Sequence, residues 1–196
     1  MRLTLCLLLL LSLPVLATED GWRETAIDAH ESRIDEAHAR AEASLLTVAD
    51  DAYGREELPK LRALLTVPTK DKAISSLLGK WRCSSTQIGS DGVFAYPNFR
   101  CEIRMVDDGT VEFSKLSGSQ RRHGQLFPYK EHAWVLLGVS YVNDDPFRAY
   151  SATLPDPGET DFAADTVGLL ETLKDGRVRI LLDAEGERFE IYTLTR

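Results

Sequence analysis

From residue 80 onward the chain is cut into short runs by turn signals. These are Ser90-Asp91-Gly92, Asp107-Asp108-Gly109, Asn143-Asp144-Asp145-Pro146, Asp156-Pro157-Gly158, Lys174-Asp175-Gly176 and Glu185-Gly186. Asp-Gly pairs close hairpins because glycine takes a positive φ without steric cost. The runs between them, 81–88, 99–106, 110–116, 120–127, 133–142, 166–173, 177–183 and 188–195, are strand-length. Several alternate: Val178, Ile180 and Leu182 stand against Arg177, Arg179 and Asp183. Alternation gives a strand one buried and one wet face. Eight such strands joined mostly by hairpins predict an antiparallel meander, which removes its exposed edges best by closing into a barrel. The polar run 120–127 and the long connection 146–165 fit this scheme least well.

Two cysteines bracket the first hairpin. Cys83 and Cys101 are equidistant from Gly92, so a hairpin centred there sets them opposite each other. Facing Cα atoms in a sheet lie within disulfide range. A metal or redox pair is the competing reading, but no third or fourth ligand lies near them in sequence. The predicted disulfide suits an oxidising compartment.

The first residues point to the same compartment. Arg2 is a positive n-region, 3–13 is nearly all leucine, Pro14 breaks the apolar helix, and Val15-Leu16-Ala17 supplies a small-residue cleavage site. The apolar run is short of the roughly 20 residues that span a bilayer. The expectation is a signal peptide over 1–17, cleaved after Ala17, which takes Cys6 with it. No other stretch is apolar for long enough to form a membrane helix. The net charge of −8 becomes one unit more negative when Arg2 leaves. An acidic chain of this kind repels nucleic acid and anionic lipid and draws basic partners.

Residues 18–78 read as helix. Ile27, Ile34, Ala41 and Val48 recur every seven residues, and Ala37 and Leu45 fill the same stripe. One helix is predicted over 25–46 and a second, short one around Leu58, Leu61, Leu64 and Leu65. Pro59 is placed in the first turn of the second helix, where its missing N–H costs least. His30 and His38, eight residues apart, cannot share a metal on one helix face and are expected at the surface. The organisation is α+β: a helical cap over 18–78 packed on an eight-stranded barrel-like domain over 79–196.

Further residues carry a resemblance. Tyr96-Pro97-Asn98-Phe99-Arg100-Cys101-Glu102-Ile103, then 113–121 with Ser117-Gly118-Ser119-Gln120-Arg121, then Gly124-x-Leu126 and Leu136-Leu137-Gly138, with Trp81-Arg82-Cys83 upstream, resemble the exported bacterial family DUF4893. The resemblance implies a periplasmic or secreted protein of the Gram-negative envelope and carries no activity. Gly79-Lys80-Trp81 also looks like the G-x-W that opens lipocalin-type barrels. In such barrels the tryptophan closes one end under an arginine, for which Arg188 and Arg196 are the candidates.

The segment 117–123 is dense in hydrogen-bonding groups. Gly118 permits a tight turn, and Arg121 and Arg122 present forks suited to a carboxylate or phosphate. With Arg100, Arg104 and Lys115 nearby, they form a basic patch in an acidic chain. Alternation puts Gln120 and Arg122 on one strand face, Ser119 and Arg121 on the other. The candidate ligand-binding residues are therefore Arg100, Ser117, Gly118, Ser119, Gln120, Arg121 and Arg122, for a small or anionic ligand. An alternative uses 117–122 as a protruding loop against a basic protein partner, as lysozyme inhibitors do with a Ser-Gly loop. No nucleophile elbow surrounds Ser119 and no glycine-rich phosphate loop is present, so no catalytic residue, cofactor or metal is expected.

Overall fold

The structure, a computed structural model, describes residues 21–48, 52–107, 109–130, 132–143, 145–146, 148–184 and 188–196. The leader expected over 1–17 and the cleavage point expected after Ala17 lie outside the described residues. Eight strands follow the turn signals: β1 (Gly79–Gly89), β2 (Gly92–Met105), β3 (Val111–Lys115), β4 (Gln120–Tyr129), β5 (Ala133–Val142), β6 (Asp165–Thr172), β7 (Val178–Ala184) and β8 (Phe189–Thr195). Each pairs antiparallel with its sequence neighbours, and β8 returns to β1, closing the barrel. The polar run is β4, with every outward residue balanced by an inward one.

Barrel closure needs strands that can approach tightly. Gly124 on β4 pairs with Gly138 on β5. A Cβ on Gly138 would stand 2.3 Å from the His123 carbonyl oxygen, and one on Gly124 would stand 2.5 Å from that of Leu137. Phe113 is paired with Gly124 on the other side and is fully buried. Glycines thus let the wall bend while an aromatic ring fills the interior at that level.

The interior is apolar from one end to the middle. Leu77, Trp81, Ile103, Phe113, Leu136, Leu170, Ile180, Tyr192 and Leu194 form one buried cluster. At the closed end the Trp81 Nε1 donates to the Leu77 carbonyl at 2.8 Å. The Arg196 guanidinium lies 4.1 Å from the Trp81 ring centroid and donates to the Leu78 carbonyl. Arg196, rather than Arg188, is the arginine at that tryptophan.

Cys83 and Cys101 form the disulfide, with Cα atoms 6.0 Å apart. They are not opposite, as the hairpin midpoint predicted. Gly89 pairs with Gly92, the turn is Ser90-Asp91, and an irregularity lies between Cys83 and Ser85. Cys83 therefore faces Phe99, and Cys101 faces Trp81. The cysteines meet diagonally on the inward face, where period two keeps them side by side.

Three helices lie against the outer wall, and a fourth stands beside one end of the barrel. They are α1 (Asp28–Asp35), α2 (Ala37–Leu46), α3 (Ala52–Thr66) and, in the β5–β6 connection, α4 (Glu159–Ala164). Ile34, Ala41, Leu45, Leu61 and Leu64 pack with Val135, Leu137, Val167, Leu169, Leu181 and Ile191, the outward residues of β5 to β8. The predicted cap is a flank. The single helix expected over 25–46 is two, divided at Glu36. Pro59 sits inside α3, which starts earlier than the leucine pattern suggested. His30, expected at the surface, is buried, with Nδ1 2.7 Å from the Tyr150 hydroxyl.

Charged groups pin this flank. Glu171 on β6 meets His38 of α2 at 2.9 Å and Arg179 of β7 at 2.7 Å. Arg179 also donates to the carbonyls of Leu64 and Leu65, at the end of α3. A cation there satisfies free carbonyls and complements the helix dipole. Burial pushes the Glu171 carboxyl up, but its bonds to His38 and Arg179 outweigh this and hold it below its usual value.

Candidate functional site

The end opposite Trp81 is polar. Inward positions of β1, β3, β4 and β8 change there from apolar side chains to Ser85, Gln87, Lys115, Gln120, Arg122 and Glu190. Glu190 and Arg122 are both buried, and the Arg122 Nη2 donates to Glu190 Oε2 at 2.7 Å. The Ser85 hydroxyl donates to the other Glu190 oxygen. The Tyr192 hydroxyl shares this network. Burial, then the Glu190 charge, pushes that phenol well above its usual range. Burial alone would lower the Arg122 guanidinium; the Glu190 carboxylate offsets it and leaves it raised.

Lys115 lies beneath the β3–β4 turn. Its ammonium is 3.9 Å from the Phe99 ring centroid and donates to the Gln120 carbonyl at 2.6 Å. Burial, partly countered by the Glu190 charge, lowers its pKa to about 8.

Above this network opens a cavity of about 620 Å³. Its floor includes Arg122 and Glu190; Gln87 and Gln120 form one side, joined by an amide hydrogen bond of 3.2 Å. Ser140 and Tyr141 of β5, with Arg148 and residues of α4 from the β5–β6 connection, form the other. Arg188 completes the rim and is held by Asp91. The volume is that of a small-molecule site. The Arg122 Nε is closed off from the cavity and has no hydrogen-bond partner among the described residues.

The predicted site residues divide between the two barrel faces. Gln120 and Arg122 point inward and line the cavity. Arg100 and Arg121 lie on the outward face, and neither lines it. Ser117 accepts a hydrogen bond from the Arg100 amide at 2.8 Å. Gly118 takes φ +87° against Phe99, where a Cβ would stand 2.8 Å from the ring. Ser119 is exposed and its carbonyl accepts from the Asn143 amide. The basic patch read from sequence is thus split: Lys115 and Arg122 inside, Arg100, Arg104 and Arg121 outside. The sequence reading missed Gln87, Ser140, Arg148, Arg188 and Glu190, which converge from four separate segments. One signal was available: Glu190 shares the inward register with Tyr192 and Leu194, so a charge falls where the pattern calls for an apolar residue.

Together these features define a closed eight-stranded barrel, shut at one end, with a buried ionic network under an open polar mouth. The chain belongs to the family described as a domain of unknown function, DUF4893, which it matches over residues 22–194. Among solved structures it is similar to a redesigned β-barrel, at 11% identity and a TM-score of 0.42, covering 66% of this chain and 98% of the other. No curated protein matches it.

Proposed function

We propose that the protein is an exported, non-catalytic binding protein that takes a small polar molecule in the mouth of its barrel. The observation that carries this is the cavity of about 620 Å³ floored by the buried Arg122–Glu190 ion pair. Burying an ion pair at the end of an otherwise apolar interior is costly for stability alone. It becomes intelligible where the pair organises a site. The apolar interior below is filled by Phe113, Leu136, Leu170, Ile180 and Tyr192, so the ligand is one that fits the mouth. Export rests on the leader-like first residues and accords with the Cys83–Cys101 disulfide.

The alternative, a 117–122 loop presented to a basic protein partner, draws less support. Ser117 and Gly118 are spent on β2 contacts, and Gln120 and Arg122 face inward.

Native mass spectrometry of the protein purified from the cell envelope without refolding tests the proposal. The expected result is a bound mass that is lost on denaturation and is absent from a Gln87→Ala/Gln120→Ala variant. A bound mass that survives those substitutions, or none in the wild type, refutes it.

A further inference from the structure

The mouth looks basic because three arginines line it, but each is already engaged. Arg122 pairs with Glu190 at 2.7 Å, Arg148 lies 3.8 Å from Asp161, and Arg188 is bonded to Asp91. Asp145 also lines the cavity. Four carboxylates thus face three guanidiniums, and the Lys115 ammonium beneath restores balance. A free anion entering the mouth meets no net positive charge and must compete with carboxylates already bound.

What the mouth does offer is paired donors and acceptors. The Gln87 and Gln120 amides are bonded to each other, Gln87 also accepts from Arg188 and the Ser140 hydroxyl donates to the Ala164 carbonyl, yet each keeps a further donor or acceptor position. Glu190 accepts and Arg122 donates, held 2.7 Å apart. Side by side, such groups match neighbouring hydroxyls, each of which donates one bond and accepts others. Ala163 and Ala164 of α4 add apolar surface for a C–H face.

On the proposed reading of the mouth as a binding site, we infer that its ligand is an uncharged, hydroxyl-rich molecule of saccharide type. Buried charges that are already paired with each other orient such a ligand without attracting counter-ions. Affinity for it is insensitive to salt, because no net charge is neutralised on binding.

The test is an amide chemical-shift titration of the folded protein with its disulfide intact. Glucose, maltose and N-acetylglucosamine are the neutral probes; glucose 6-phosphate, gluconate and glutamate are the charged ones. The expected result is that at least one neutral saccharide shifts the amides around Gln120, Ser140 and Glu190, with equal affinity at low and high salt. Gln87→Ala/Gln120→Ala, both at the solvent side of the network, weakens it about tenfold or more, for two lost hydrogen bonds. Silence from all neutral saccharides overturns the inference. The charged probes then separate the two failures. If they shift the mouth amides with salt-sensitive affinity, the site stands and the ligand class is wrong. If they too leave the mouth unmoved, the binding-site reading falls with it.

Discussion

Replacing Arg122 with methionine removes the guanidinium and keeps most of the side-chain volume. The Glu190 carboxylate, 3% exposed, is left with Ser85 and Tyr192 as its donors. Breaking a buried ion pair from one side costs about 3–5 kcal/mol. The remaining donors hold the loss to the lower part of that range, about 3 kcal/mol. Glu190→Gln, which leaves Arg122 buried without its counter-charge, is expected to cost a similar amount. In the double variant Arg122→Met/Glu190→Gln no charge is stranded, so it is expected to be no less stable than either single variant. Urea unfolding at neutral pH, disulfide intact, gives all three values provided the slope with denaturant is unchanged. Two single losses that simply add in the double variant would falsify the coupled network.

Three further outcomes are expected. Cys83→Ala/Cys101→Ala should cost about 3 kcal/mol in urea unfolding, the loop-closure entropy of an 18-residue separation; a loss below about 1 kcal/mol would mean the unfolded chain is constrained some other way. Lys115, lowered to about 8 in the fold against an ordinary 10.5, is deprotonated in the folded state before the unfolded one. The unfolded state therefore holds more protons across that window, and stability rises with pH from about 8 to 10. Lys115→Met should lack this rise, and parallel pH curves for the two proteins contradict the assignment. Glu171, held low by His38 and Arg179, contributes stability at neutral pH that is lost as pH falls through its folded value, below 4.5. Glu171→Gln should flatten the acid limb of the unfolding midpoint, and an unchanged limb places the acid sensitivity elsewhere.

The strands were legible because turn chemistry and period-two patterning are local and agree with each other. Even polar β4 followed, since Gly124 and Leu126 mark its inward face between Arg121 and Gln125. The disulfide partners were legible for the same reason, yet their register was not. The midpoint argument centred the turn on Gly92, whereas it is Ser90-Asp91, and the irregularity between Cys83 and Ser85 recovers only one of the three positions lost. His30 failed differently. A histidine on a charged helix reads as exposed, and the Tyr150 hydroxyl that meets it in the interior lies 120 positions away. The mouth was half legible. Alternation placed Gln120 and Arg122 together, but Gln87, Arg148 and Arg188 arrive through closure of the barrel and the path of the 143–164 connection. Local pattern carries no information about either.

The flank of helices covers the outward face of β5 to β8, while the end of β2, all of β3 and the start of β4 show Arg100, Arg104, Glu112 and Arg121 to solvent. The barrel therefore has a stiff half and a compliant half. The less covered strands are expected to open first, and hydrogen exchange to be slowest in β5 to β8. The Cys83–Cys101 bond ties β1 to β2 on the inward face. Whatever strain the wall takes elsewhere, the register of this first hairpin is held by a covalent bond as well as by its ladder.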